Sequence, residues 1–141
     1  MLSKKDIAIR ENIQKQHTIA SFYRNVYIRK SDDAIIADSL EDFMTQITDP
    51  CHVWQGAITW NGYGYFSVYS KESGTTIKVK AHRFAWALAY GFDALPIGVE
   101  GGDRLVLNHI CHNKACVNVK HLEVITQAEN IGTDKRKPTN V

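Results

Sequence analysis

The residues of this 141-residue chain best equipped for chemistry crowd between Asn108 and Asn130. Cys111, Cys116 and His121 follow one another at Cys-x4-Cys-x4-His spacing, with His109 ahead of them and Asn130 behind. Thiolate sulfur and imidazole nitrogen are donors that zinc takes up in a closed tetrahedron when its role is structural. An amide oxygen such as that of Asn130 is a poor zinc donor, but it suits Mg²⁺, which keeps most of its waters and takes few protein ligands. His109, with an unperturbed pKa of about 6.5, could accept a proton from water near neutral pH. One segment thus interleaves a candidate metal cage with a candidate catalytic pair.

The cage needs a fourth donor, and Cys51 is the remaining cysteine. Its use would join the start of the first predicted strand of the second half to the loop between the last two strands. A loop this short cannot build its own core, so metal binding would supply folding free energy. Three cysteines are an odd count, which argues against a disulfide framework and for ligation or for independent buried thiols. His52 and His112 adjoin ligands and are expected outside a cage already full.

The elements that must hold these groups follow from periodicity. Ser3 is placed to cap a helix running through Ile9, Ile13, Ala20, Tyr23 and Tyr27. A second helix is expected over residues 38–47, where Leu40, Phe43, Met44 and Ile47 make a narrow apolar stripe ended by Asp49-Pro50. From Val53 the pattern changes to that of strands. Asn61-Gly62 is expected to turn a hairpin between the run after Val53 and residues 63–69. A third strand, residues 76–81, alternates Ile77, Val79 and Ala81 with Lys78 and Lys80, so one face is apolar and the other basic. That basic face could meet phosphates or a major groove, or be an ordinary solvated edge. Residues 82–90 read as a helix stopped by Gly91, residues 92–104 as a loop, and residues 105–107 and 122–125 as short strands. Thr126 with Glu129 makes a capping box that would open a last helix carrying Asn130.

Composition sets the frame. With 44% hydrophobic and 23% charged residues the chain suits one modest core, and no run resembles a membrane span or a secretory signal. An intracellular, cytoplasmic protein with no membrane partner is expected. The net charge of +2 is uneven: residues 1–49 hold seven Lys/Arg against eight Asp/Glu, and residues 50–141 hold ten against seven. The half with the motif is the basic half, which favours a phosphate-rich ligand. The expected organisation is an N-terminal helical appendage at 1–49, for dimerisation or DNA contact, and a second domain at 50–141.

Over roughly residues 51–134 the chain resembles the HNH, or His-Me finger (ββα-metal), endonucleases, and most of all the zinc-stabilised His-Cys box homing endonucleases. Beside His109, Cys111, Cys116, His121 and Asn130, similar phage HNH proteins show a Cys-x-x-Trp-x-Gly opening, a Gly-Tyr-Gly turn and an Ala-His-Arg segment, here Cys51-His52-Val53-Trp54-Gln55-Gly56, Gly62-Tyr63-Gly64 and Ala81-His82-Arg83. The resemblance implies an α+β fold: a small antiparallel sheet, then a zinc-stabilised ββα-metal module. It implies that His109 is the general base, that Asn130 binds one catalytic Mg²⁺, and that Cys51, Cys111, Cys116 and His121 bind one structural Zn²⁺. It further implies double-stranded DNA as substrate and products with 5′-phosphate and 3′-hydroxyl ends.

Arg83 is then a candidate contact to the scissile phosphate, with a surface salt bridge as its other role. Lys78 and Lys80 are candidate DNA contacts. Two departures stand out. Asn108 occupies the place where many relatives have Asp as a second Mg²⁺ ligand, and Val119 stands where Pro is common. A single module holds one active site, so a double-strand break calls for a homodimer or two successive events. The rival readings are a zinc-dependent DNA-binding module that has lost catalysis and a cysteine-nucleophile enzyme, which would need an activated free thiol.

Overall fold

Ser3 caps the first helix as expected, its hydroxyl accepting from the Asp6 amide at 3.1 Å. The computed structural model describes residues 2–28, 30, 40, 44, 49–97 and 105–126. Their order is α1 (Lys4–Asn12), α2 (Gln16–Arg24), β1 (Val26–Ile28), β2 (His52–Trp54), β3 (Tyr65–Ser70), β4 (Thr75–Lys80), α3 (Ala81–Tyr90), β5 (Leu105–His109) and β6 (Leu122–Thr126). Short 3₁₀ turns occupy Phe92–Ala94 and Val119–His121. The class is α+β, but among the described residues the strands form three separate two-stranded antiparallel sheets, β1–β2, β3–β4 and β5–β6, where a single small sheet was expected before the last module.

The single N-terminal helix read from the periodicity breaks after Asn12. That buried amide donates to Ala8 O and to Tyr69 O of β3, both at 2.8 Å, and its oxygen accepts from Thr18 Oγ1 at 3.2 Å. A buried amide with all these partners outweighs continuation of the helix. Phe22, fully buried, is the core residue of α2, whereas Tyr23 and Tyr27 of the expected stripe are exposed. Ala8, Ile9 and Phe22 join the same cluster as Trp54, Val68, Val79, Phe84, Leu107 and Val117. Among the described residues, then, the helices expected as an appendage share one core with the rest. The helix expected over 38–47 lies outside the described residues but for Leu40 and Met44.

Aromatic rings fill the centre of that core. The Phe22 ring lies 5.1 Å from those of Trp54 and Phe84 and 5.6 Å from that of Phe66. Trp54 Nε1 is satisfied by Ala57 O at 3.1 Å. Gly56 and Gly64 close on the faces of this indole: a Cβ at Gly64 would sit 2.5 Å from Trp54 Cδ1, and one at Gly56 would sit 2.8 Å from Cε2. Gly56 of Trp-x-Gly and Gly64 of Gly-Tyr-Gly are therefore packing devices around one side chain. Gly64→Ala is expected to lower stability by about 1–3 kcal/mol through overpacking. Urea denaturation would show it, and an unchanged midpoint would refute the account.

Asn61-Gly62 does turn the chain, with Gly62 at φ 95° and its amide donating to Thr59 O at 2.9 Å, but no long hairpin follows. β2 pairs with β1 instead, Val26 opposite Trp54, and β3 pairs with β4, Phe66 opposite Val79 and Val68 opposite Ile77. The expected alternation of β4 holds: Val79 is buried and Lys78 exposed. α3 ends at Gly91, whose φ of 93° suits glycine and whose amide reaches Ala87 O at 2.8 Å. No helix among the described residues is long and apolar enough to cross a membrane.

Candidate metal centre and catalytic site

β5 and β6 pair in register from Leu105 opposite Thr126 to His109 opposite Leu122, and the loop between them carries three of the four soft ligands. β2 lies against this loop through a Val53–Cys116 bridge, Trp54 N to Ala115 O at 2.8 Å and Val117 N to His52 O at 2.7 Å. These contacts bring Cys51, seated just before β2, to the other ligands. Cys51, Cys111, Cys116 and His121 are all buried, and their donor atoms lie within 4.8 Å of one another. Cys51 Sγ and Cys116 Sγ each stand 3.5 Å from His121 Nδ1. Tetrahedral zinc, with sulfur at about 2.3 Å and nitrogen at about 2.0 Å, sets a sulfur–nitrogen edge of about 3.5 Å, so the set could hold that ion.

The surroundings fit a metal site. His121 Nε2 sits 2.7 Å from Asp49 O, the backbone partner a ligating imidazole usually finds for its second nitrogen. Contact with Cys111 and then Cys51 pushes the pKa of His121 up to about 10. Hydrogen bonds from Cys116 and then Cys51 pull the Cys111 thiol down, while contact with Cys111 and Cys51 pushes the Cys116 thiol up. Such a group shares charge awkwardly on its own, whereas a dication lets every sulfur ionise and the imidazole stay neutral.

Asn118, which the sequence reading passed over, ties the centre together. Its amide nitrogen donates to Asp49 Oδ1 at 3.1 Å and to Pro50 O at 2.8 Å, and its oxygen caps the 3₁₀ turn by accepting from Lys120 N at 3.0 Å. It thereby delivers the segment that precedes Cys51. A capping-type residue just upstream of His121 was its one sequence signal.

His109 ends β5, only 5% exposed, and its Nε2 lies 2.9 Å from the backbone oxygen of Cys116. A carbonyl only accepts, so the proton sits on Nε2 and Nδ1 keeps a lone pair. Burial lowers the pKa of His109 below the ordinary value, opposed in part by Cys111 and the Cys116 carbonyl. The imidazole is therefore neutral at pH 7 and is oriented by the main chain of a metal-cage residue.

His82 packs against it. The two imidazoles lie 4.7 Å apart, and Tyr63 contacts both, at 5.6 Å from His82 and 5.9 Å from His109. His82 is 5% exposed, and its Nδ1 has no hydrogen-bond partner among the described residues. In the sequence His82 stands only within the Ala81-His82-Arg83 motif, because its neighbour in space, His109, is 27 positions away in the chain. Burial, reinforced by His109, depresses its pKa well below the usual value. A group depressed in this way contributes stability that is complete above the unfolded pKa of about 6.5 and is lost as pH falls through the folded value. His82→Phe, which fills the space without titrating, should lose less stability than wild type between pH 7 and pH 5. Equal losses in urea denaturation would exclude His82 as a source of acid lability.

The other expected site residues fall in several places. Arg83 pairs through Nη2 with Asp6 Oδ1 at 2.7 Å and donates through Nη1 to Pro96 O at 3.0 Å, so of its two anticipated roles the structure shows the ion pair, joining α3 to α1. Lys78 Nζ lies 5.2 Å over the Tyr65 ring and Lys80 Nζ 4.7 Å over the Tyr63 ring. Lys114, not singled out beforehand, reaches the same Tyr63 ring at 5.2 Å. Asn108 donates to Glu123 Oε1 across the strand pair at 3.0 Å. Asn130 and its expected helix lie outside the described residues.

Residues 79–131 match the model of a family described as HNH endonuclease. Two phage proteins are similar in sequence. The uncharacterized gene 5.3 protein of Enterobacteria phage T3 is 32% identical over 71 residues, which is 50% of this chain and 62% of that protein. Protein 7.7 of Escherichia phage T7 is 33% identical over 82 residues, which is 58% of this chain and 52% of that protein. The match thus spans less than two thirds of either relative's length. No solved structure matches the chain.

Proposed function

We propose that this chain, which carries an HNH-family segment at residues 79–131, is a metal-dependent DNA endonuclease with His109 as general base. The observation that carries the reading is the buried imidazole of His109, held by the Cys116 carbonyl at 2.9 Å with Nδ1 left as the basic atom, beside a Cys₃His cage. Nδ1 takes the proton of a water whose oxygen bonds to phosphorus. The bond from phosphorus to O3′ then breaks, and the departing O3′ takes a proton from solvent water, leaving a 5′-phosphate and a 3′-hydroxyl. Lys80 and Lys114, at the Tyr63 ring that touches His109, draw the phosphate toward this base.

Cys51, Cys111, Cys116 and His121 would hold a structural Zn²⁺, one per chain, that fixes the loop. The family resemblance assigns a Mg²⁺ ion to Asn130, where it would supply positive charge for the developing phosphate and the leaving oxygen. A module with one base nicks one strand, so double-strand cleavage is assigned to a homodimer. The rival reading, a zinc-dependent DNA binder without catalysis, has no use for a base held in this tautomer. Supercoiled plasmid incubated with Mg²⁺ tests the proposal: nicked or linear product whose ends T4 ligase reseals is expected. Plasmid that stays supercoiled across a range of protein concentrations would overturn it.

A further inference from the structure

Next to the candidate base, residues 57–64 form a braced protrusion. A bridge between Ile58 and Gly64 closes its neck, and Tyr65 N donates to Ala57 O at 2.9 Å. Inside it Thr59 N donates to Tyr63 O at 2.8 Å, Tyr63 N to Thr59 Oγ1 at 3.1 Å, and the Thr59 hydroxyl to Asn61 Oδ1. At the tip stands Trp60, 98% exposed, with Ile58 51% exposed beside it. The other two tryptophans are accounted for: Trp54 is in the core, and Trp86 donates its Nε1–H to Ala94 O at 2.9 Å.

A single exposed apolar side chain is ordinary. What gives this one meaning is the chain of contacts that leads from its loop to the candidate base. Lys114 Nζ donates to Asn61 O, next in the chain after Trp60, at 3.4 Å and also lies over Tyr63. Lys80 reaches the same ring, and that ring touches His109. The loop that carries the indole, two ammonium groups and a buried imidazole are therefore linked contact by contact through Asn61 O and the Tyr63 ring. Nucleic acid carries the matching groups, a charge on every phosphate and a π-face on every base, which in a duplex is reached where a base step is opened. A braced loop loses little conformational freedom when it engages them.

We propose that Trp60 stacks on a base of the DNA substrate beside the phosphate seated at Lys80 and Lys114, and so sets the strand over His109. The proposal rests on the nuclease reading for its substrate. The test is a titration of the full chain, without added Mg²⁺, with a mixed-sequence duplex oligonucleotide, followed by tryptophan fluorescence and by anisotropy of labelled DNA. DNA should quench the wild type and Trp86→Phe, and Trp60→Phe should lose most of the quench. Trp60→Ala should bind roughly 5- to 150-fold more weakly. Its salt dependence should match wild type, whereas Lys114→Ala should reduce the slope of log affinity against log salt by about one.

Because Trp60 is 98% exposed among the described residues, its variants should keep wild-type zinc content and melting temperature, and a binding loss that tracks a loss of zinc would overturn the assignment. Unchanged affinity and quench in the Trp60 variants, with plasmid cleavage by wild type intact, would sink the stacking role alone. DNA binding lost with Trp60 in a chain that cuts no plasmid would support stacking and overturn the nuclease reading. A wild type that neither binds nor cuts DNA would overturn both.

Discussion

His109→Ala is expected to lower the rate of plasmid cleavage by roughly two to four orders of magnitude, the usual worth of a positioned general base. The imidazole is buried, so truncation also opens a cavity and strips Cys116 O of its partner, at about 2–4 kcal/mol of stability. His109→Gln separates the two effects. Its amide can still donate to the Cys116 carbonyl but is no base, so it should keep the melting temperature near wild type and remain as inactive as the alanine variant. Because burial holds the pKa of His109 below its ordinary value, the base stays deprotonated as pH falls below 6.5. The acid limb of the cleavage profile should therefore lie below that value. Cleavage by His109→Gln at wild-type rate would remove His109 from the mechanism.

Stripping the metal is expected to have the larger effect on the molecule as a whole. The loop from Cys111 to His121 brings only Ala115, Val117 and Val119 to the main core, while its two cysteines gather in a separate cluster with Cys51 and Val53, beside His121. Structural zinc in small domains binds with an apparent free energy of about 10–16 kcal/mol, as much as the whole stability of a typical domain, about 5–15 kcal/mol. A strong chelator should therefore lower the melting temperature by more than about 10 °C and abolish cleavage. Zn²⁺, and not Mg²⁺ alone, should restore both. Cys51→Ser and Cys116→Ser should behave like the chelated wild type, since each removes one corner of the tetrahedron, and elemental analysis should find one zinc per chain. A chelated protein that melts and cuts as before would show that the four residues are merely packed thiols and an imidazole. Cleavage should fall with zinc for a specific reason: the Cys116 carbonyl that aims His109 belongs to a cage residue.

Much of the backbone was legible where local rules govern it. Ser3 as a cap, Gly91 as a helix stop, the alternation of β4 and the short strands that begin at Leu105 and Leu122 depend on neighbours a few residues apart. The helix break at Asn12 was not legible, because its cause is a hydrogen bond to Tyr69, 57 positions away. The pairing of β2 was misread for a similar reason: Asn61-Gly62 turns the chain, but β1 claims β2. The ion pair of Arg83 was not legible either, because its partner Asp6 lies 77 positions away.

The site divides along the same line. Donor chemistry belongs to side-chain type, so the sequence by itself determined which atoms suit a soft metal, that His109 could serve as a base, and the close spacing of Cys111, Cys116 and His121. Only the tertiary structure brought Cys51 to those three, turned His109 Nε2 onto a carbonyl, stacked His82 and Tyr63 beside it and set Lys80 and Lys114 over the Tyr63 ring. Spacing along the chain constrains neighbours within a turn or a loop, whereas orientation and burial are set by contacts between segments tens of residues apart.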